Sequence, residues 1–311
     1  MEVNNQANIS PYQIEINRKR DKANEKLFYF FKKLLKSKTG IVGLFIVLTV
    51  CIMAVFAPVL APYDPNKIDT ANMLNPPFWL SGGDVSHILG TDNLGRDILS
   101  RLIYGSRISI IVGLLSVIVG GLIGVTFGLI AGYYGGIVDS IIMRLVDSFL
   151  AIPTVLFCIV FLAVLNPGLL TLVFVIGVTN WVIYASLVRS ETLSIREREY
   201  VKAARTIGVS DIKIMTRHIL PNVFSSVIVV STLSVAGTII TESSLSFLGL
   251  GIQPPAISWG IMLSEGRAHL ATSWWLATFP GLAITFTVLG VIFLGEWLRD
   301  VLDPRSQGMK S

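Results

Sequence analysis

Residues 108–131 read ISIIVGLLSVIVGGLIGVTFGLIA, a run of 24 residues without a charged side chain. A helix rises about 1.5 Å per residue, so this run is long enough to cross the roughly 30 Å hydrocarbon core of a bilayer. In that environment an isolated segment satisfies all of its backbone groups only as a helix. The stretch therefore predicts a membrane-spanning helix.

Five further stretches of similar character occur along the chain, at residues 41–61, 148–165, 169–188, 222–241 and 276–295. The stretch at 148–165 is the shortest, and we expect its helix to begin earlier, near Ile141. Together the six stretches predict an all-α membrane protein with six transmembrane helices. Hydrophobic residues make up 52% of the chain and charged residues only 14%, whereas a soluble domain carries about 25% charged residues. The composition therefore argues against a soluble protein.

The distribution of Lys and Arg predicts the orientation in the membrane. With the N-terminus inside, the inner segments carry 20 of these residues and the outer segments carry four. Because basic loops stay in the cytoplasm, both termini are predicted to be cytoplasmic. The same topology predicts a basic cytoplasmic segment (1–40), a first helix (41–61), an extracellular loop (62–105), a five-helix core (106–299) with a cytoplasmic loop (189–221), and a cytoplasmic tail (300–311).

Glycines recur every four residues along the second predicted helix, at Gly120, Gly124, Gly128, Gly132 and Gly136. Such a row lies on one face of a helix and permits close contact with another helix. Packing inside this chain is the simpler interpretation, and contact with a second subunit is the alternative.

The long cytoplasmic loop contains the sequence REYVKAARTIGVSDIKIMTRHILP at residues 198–221. Its apolar residues recur at helical spacing, at Tyr200, Ala203, Ala204 and Ile207. Gly208 is placed to end this short helix, because glycine accepts the left-handed conformation found there. We expect a helix–glycine–helix unit whose two alanines present a small-residue surface to a partner.

These loop residues resemble the EAA loop of ABC importer permeases, through Ala203-Ala204, Gly208 and Leu220-Pro221. The ending His218-Ile-Leu-Pro-Asn222 is similar to the dipeptide, oligopeptide and nickel branch of that family, as are residues 89–107 and 245–260. The resemblance covers about residues 41–304 and implies the C-type permease, in which one N-terminal helix precedes a type I importer core of five helices. One position departs from the family pattern, since Lys202 stands where the family has an acidic residue.

The resemblance implies a pore-forming subunit of an importer for di- or oligopeptides, with nickel or another small solute as the alternative. We find no G-x-x-x-x-G-K-[ST] motif, so we expect ATP and Mg²⁺ to be bound by two partner ATPase subunits and this chain to be no enzyme itself. Further implied partners are a second homologous permease and an extracellular substrate-binding protein; no nucleic acid is expected. The implied coupling residues are Tyr200, Lys202, Ala203, Ala204, Gly208, His218, Leu220 and Pro221.

Glu242 follows a run of twenty uncharged residues and precedes Ser243, Ser244 and Ser246. An ionisable residue at the end of a span usually faces a cavity or a partner, which makes Glu242 a candidate for the translocation path. The alternative is a buried carboxylate that is hydrogen-bonded by these serines or paired with Arg107. The residues alone also leave open a secondary transporter or channel that is not driven by ATP.

The predicted topology can be tested with single cysteines in a cysteine-free background. We expect Ser81→Cys and Ala271→Cys to react with a membrane-impermeant thiol reagent in intact cells, because both lie in predicted extracellular loops. We expect Ser210→Cys to react only after permeabilisation. Labelling of the Ser210→Cys variant in intact cells would reverse the assigned orientation.

Overall fold

The computed structural model describes residues 32–166 and 168–302, and these ranges are helical apart from connecting loops. Most of the predicted N-terminal segment and tail lie outside the described residues. The helices are α1 (Lys38–Val55), α2 (Ala57–Leu60), α3 (Ile98–Tyr134), α4 (Gly136–Leu150), α5 (Thr154–Val164), α6 (Leu169–Arg196), α7 (Glu199–Thr206), α8 (Asp211–Ile214), α9 (Leu220–Phe247), α10 (Trp259–Gly266) and α11 (Trp275–Leu302). Of these, α1, α3, α6, α9 and α11 are each long and apolar enough to cross a bilayer.

The bundle formed by these five helices has two different ends. Residues 56–97 and 248–274 form what we call the large-loop end, and residues 197–219 form the short-helix end. The all-helical architecture agrees with the prediction. The number of possible membrane spans among the described residues is six if α4 and α5 together make one span.

The third predicted span is not the single helix that we expected. It consists of α4 and α5, which meet at an angle of 87° across residues 151–153. Pro153 lies at this break. Proline donates no backbone hydrogen bond and disfavours the helical conformation of the residue before it, so the helix ends there and a second one begins.

Helix α3 begins ten residues before the predicted span, so the large loop ends at Asp97 rather than at residue 105. The side chain of Asp97 caps the helix by accepting a hydrogen bond from the backbone amide of Ser100 at 2.8 Å. Arg101 in the first turns is buried, and its guanidinium lies 2.7 Å from the carboxylate of Glu265 and also pairs with Asp92. Helix α3 can include the buried Arg101 because two carboxylates neutralise the charge of its guanidinium.

Four of the five periodic glycines bring α3 against α6. A Cβ atom at Gly124 would lie 2.3 Å from the carbonyl oxygen of Trp181, and positions 120, 128 and 132 are similarly closed by the α6 backbone or side chains. The fifth, Gly136, lies at the start of α4 with open space around it. The interpretation of the row as packing within the chain is therefore confirmed for its first four members.

The other spans pack around this pair. Helix α9 contacts α3, α6 and α11, while α1 lies against α11 and α3. Close approach of α1 and α11 again depends on glycine, because a Cβ atom at Gly43 would lie 2.8 Å from the carbonyl oxygen of Gly290.

The glycine contact predicts a difference in stability between two neighbouring alanine substitutions. Gly124→Ala should lower stability by about 1–3 kcal/mol, because the added methyl group overpacks the contact with α6. Gly121→Ala is the matched control, since its Cβ atom would lie 3.8 Å from the nearest ring atom of Tyr184, an ordinary contact. Thermal unfolding of both variants in the same detergent measures the difference, and equal midpoints would contradict the assigned helix contact.

Candidate functional site

Helix α7 ends in a Schellman motif built around Gly208. The amide of Gly208 donates to the carbonyl of Arg205 at 3.0 Å, and the amide of Val209 donates to the carbonyl of Ala204 at 3.1 Å. Gly208 has a φ angle of +80°, which residues with a Cβ atom rarely adopt. The turn predicted at Gly208 is therefore present, and it sends the chain back toward the membrane helices.

The structure separates the two alanines of the predicted small-residue surface. Ala204 is 7% exposed and belongs to an apolar cluster that joins α3, α6, α7, α8 and α9. Ala203 is exposed. Successive residues of a helix point about 100° apart, and in the observed orientation of α7 the side chain of Ala204 faces the bundle while that of Ala203 faces outward. The expectation that both alanines face a partner is wrong for Ala204.

The outward side of α7 presents apolar groups to its surroundings. Tyr200 is 43% exposed and Ile207 is 79% exposed, with Ala203 between them along the helix. We call these three residues the docking surface. Exposed contiguous apolar groups with a charged rim are typical of protein interaction sites, and here Lys202 and Arg205 supply exposed charges on the same helix.

The short-helix end is fastened to the end of α3 by polar contacts. The hydroxyl of Tyr133 donates to the carboxylate of Asp211 at 2.6 Å, and the guanidinium of Arg205 lies 5.0 Å from the centre of the Tyr133 ring. Arg196 of α6 donates to the carbonyls of Gly132 and Tyr133 at 3.2 and 3.0 Å. Helix α7 is thereby held against α3 and α6.

Sequence reasoning missed Tyr133 because it precedes the loop by more than fifty residues and belongs to no motif. Its position at the end of a predicted span was the available signal, although that position does not identify its partners.

Lys202 has a partner within the chain. Its ammonium group lies 3.0 Å from the carboxylate of Glu197, and both side chains are 60% exposed. The hydrogen bond from Lys202 lowers the pKa of Glu197. An exposed pair of this kind contributes little to stability, so the structure gives Lys202 a solvent-facing role at the rim of the docking surface.

The remaining loop residues lie where α8 passes through a π-helical turn (Met215–Ile219) into α9. The carbonyl of His218 accepts a hydrogen bond from the side-chain amide of Asn222 at 2.6 Å. Leu220 packs against the same apolar cluster as Ala204. Pro221 directly follows the π-helical turn within a helix that is continuous over Asp211–Phe247, and it has no amide proton to donate to the preceding turn. These residues position the loop rather than form its apolar surface.

Glu242 is far from this group and completely buried. It lies 21 residues beyond Pro221 on α9, or about 31 Å along the helix. The hydroxyl of Ser246 donates to its carboxyl group at 2.7 Å, and that of Ser243 lies 3.3 Å away. The side chain does not line an open path in this conformation of the chain. Arg107 does not pair with it but donates to the carbonyl of Ala54 at 2.6 Å.

The predicted site residues thus form two separate groups at opposite ends of α9. The loop residues surround a docking surface at the short-helix end, and Glu242 lies near the large-loop end. Among the described residues no group of His, Cys, Asp and Glu side chains is placed to hold a metal ion.

Comparison with protein families gives two matches that together span most of the chain. Residues 124–308 match the binding-protein-dependent transport system inner membrane component. Residues 27–77 match the N-terminal transmembrane domain of oligopeptide transport permease C. The first match contains the docking surface and the second contains α1, in the order expected for a C-type permease.

Individual proteins agree with this assignment. The chain is 40% identical to the di/tripeptide transport system permease protein DppC of Pseudomonas aeruginosa, over 89% of this chain and 91% of that one. It is 43% identical to the dipeptide transport system permease protein DppC of Escherichia coli K12, over 90% and 93%. A chain of the MetNI methionine ABC transporter in inward-facing conformations shares the fold, with a TM-score of 0.53 over 65% of this chain and 96% of that one at 17% identity. The chain therefore belongs to the family of binding-protein-dependent transport system inner membrane components, the membrane-spanning permeases of ABC importers.

Proposed function

We propose that this chain forms one half of the translocation pore of an ATP-driven importer of di- and oligopeptides. The peptide substrate is supported by the names of its relatives, which are dipeptide and di/tripeptide permeases at 40–43% identity. As an importer permease the chain is a transport subunit and not a catalyst. Its proposed partners are a homologous permease, two ATPase subunits that bind ATP and Mg²⁺, and an extracellular substrate-binding protein.

The docking surface is the observation that carries the coupling role. Tyr200, Ala203 and Ile207 expose apolar groups that nothing else in the described chain covers. In our proposal they enter a groove on an ATPase subunit in the cytoplasm. Both termini are then cytoplasmic as well, in line with the basic residues of the inner segments.

The contacts behind the docking surface explain how movement reaches the pore. Asp211 and Arg205 are fixed to Tyr133 at the end of α3, and Ala204 is embedded among residues of α3, α6 and α9. When the ATPase subunits close, α7 carries these three spans with it as a rigid unit. The pore then changes between inward-facing and outward-facing states by rigid-body movement.

A pair of substitutions on α7 tests the docking surface. Ala203→Asp places a carboxylate in the proposed contact, where an unpaired buried charge is strongly unfavourable. We expect normal membrane insertion, loss of the ATPase subunits on purification, and peptide uptake reduced by about tenfold or more, since each 1.4 kcal/mol of lost binding is tenfold in affinity. Lys202→Glu restores the acidic residue of the family at the exposed rim and should retain most uptake.

Ala204→Asp serves as the second reference for this experiment. Because Ala204 packs inside the chain, this variant should lose thermal stability in detergent, whereas Ala203→Asp should not. If Ala203→Asp co-purifies with the ATPase subunits as well as the unmodified chain does, the docking surface is assigned wrongly. Equal damage from Ala203→Asp and Lys202→Glu would show that the charge at position 202 makes an essential contact.

Glu242→Gln and Glu242→Ala distinguish a path role from a packing role. An amide still accepts a hydrogen bond from Ser246 and an alanine does not. The burial leads us to expect that Gln preserves stability and uptake, whereas Ala lowers the unfolding temperature by leaving buried hydroxyls unpaired. A Gln variant that assembles and hydrolyses ATP normally but transports poorly would instead place Glu242 on the path.

A further inference from the structure

Two cavities on this chain differ in the charge of their walls. One has a volume of about 970 Å³, lies between α1, α3, α9 and α11, and has no charged residue among its lining residues. The other has a volume of about 430 Å³, lies between α6, α9 and α11, and is lined by Glu191 and Arg299 among others. Lipid chains suit the first cavity, whereas charged side chains at the end of a membrane span usually face water, a partner or a substrate path.

The charged groups of Glu191 and Arg299 have no ion-pair or hydrogen-bond partner within the described part of the chain. Neither side chain forms an ion pair or a side-chain hydrogen bond there. By contrast Arg189, two residues before Glu191, pairs with Asp139. Glu191 is half-buried and lies in the last turns of α6, five residues before the helix ends and three residues beyond the apolar stretch 169–188. A half-buried carboxylate and an exposed guanidinium thus share one cavity without an ion-pair partner among the described residues.

The remaining lining of this cavity consists of hydroxyl and apolar side chains. Ser225 and Ser226 of α9 add two hydroxyl groups, and apolar side chains such as Val229 and Leu233 form the remaining surface. Its volume lies within the roughly 300–1,000 Å³ of small-ligand cavities. One negative and one positive side chain with hydroxyls between apolar walls match a small zwitterion, with an ammonium group at one end and a carboxylate at the other.

We infer that Glu191 and Arg299 form a substrate subsite at the short-helix end of the translocation path, in which Glu191 binds the α-ammonium group of a peptide and Arg299 binds its α-carboxylate. The inference rests on the proposed peptide import and adds a site on this chain. The apolar wall accepts side chains of differing shape without specific hydrogen bonds, so the subsite reads the charged termini and not the sequence.

The test uses the assembled permease–ATPase complex in phosphatidylcholine nanodiscs without the substrate-binding protein. The probe is radiolabelled dialanine, with unlabelled dialanine and uncharged N-acetyl-dialanine N-methylamide as competitors. We expect only the zwitterion to compete, and Glu191→Gln and Arg299→Gln each to weaken binding by about tenfold, the loss of one charge-assisted hydrogen bond. Glu296→Gln is the matched control, because Glu296 is an exposed carboxylate on α11 outside the cavity.

Three outcomes overturn the inference. Unchanged dialanine binding in both cavity variants would remove the subsite. Equal competition by the uncharged peptide would show that the termini are not read. Loss of dialanine binding in nanodiscs that contain phosphatidylethanolamine would assign the two charges to a zwitterionic lipid headgroup.

Peptide uptake by the complete importer in proteoliposomes distinguishes failure of the proposed subsite from failure of the proposed function. If the unmodified complex imports dialanine and both cavity variants bind and import it equally well, the subsite is wrong and the peptide importer stands. If the unmodified complex, supplied with its binding protein, imports no peptide, the proposed substrate fails and the subsite fails with it. Basal ATP hydrolysis in each variant checks that the complex is intact.

Discussion

The close contact between α3 and α6 is the constraint on which the rest of the structure depends. Four glycines let the two backbones approach to a distance that even a methyl group would prevent. In a bilayer no hydrophobic force drives helices together, so packing of this kind holds the bundle. Because α3 is 37 residues long, or about 55 Å, it also carries this constraint beyond the hydrocarbon core at its ends.

Each end of α3 is fixed by a different set of polar contacts. At the large-loop end Arg101 joins Asp92 and Glu265, and Arg96 contacts the same two carboxylates at 2.6 and 3.1 Å. At the short-helix end Tyr133 holds Asp211 and Arg205. In the proposed coupling, these contacts connect α7 through α3 to the loops on the opposite side.

Two cavities of the chain differ in the charge of the residues that line them. The cavity bordered by α1 and α3 is uncharged, whereas that between α6, α9 and α11 contains Glu191 and Arg299. Burying an unpaired charge against lipid is costly, so the two faces suit different surroundings. In the proposed importer, the uncharged cavity suits contact with lipid and the charged cavity suits a water-filled path.

The sequence by itself determined the fold class, the approximate spans, the family and the glycine row, because each depends on local composition or spacing. Hydrophobic length decides whether a helix can cross the bilayer, and the Gly208 turn follows from the backbone freedom of one residue. Only the tertiary structure decided that Ala204 faces inward and Ala203 outward, and that α3 extends past Arg101. It also brought Glu191 and Arg299, more than one hundred residues apart in the sequence, to the same cavity. These features depend on which distant side chains meet, and no local pattern specifies the partner that neutralises a charge or covers a helix face.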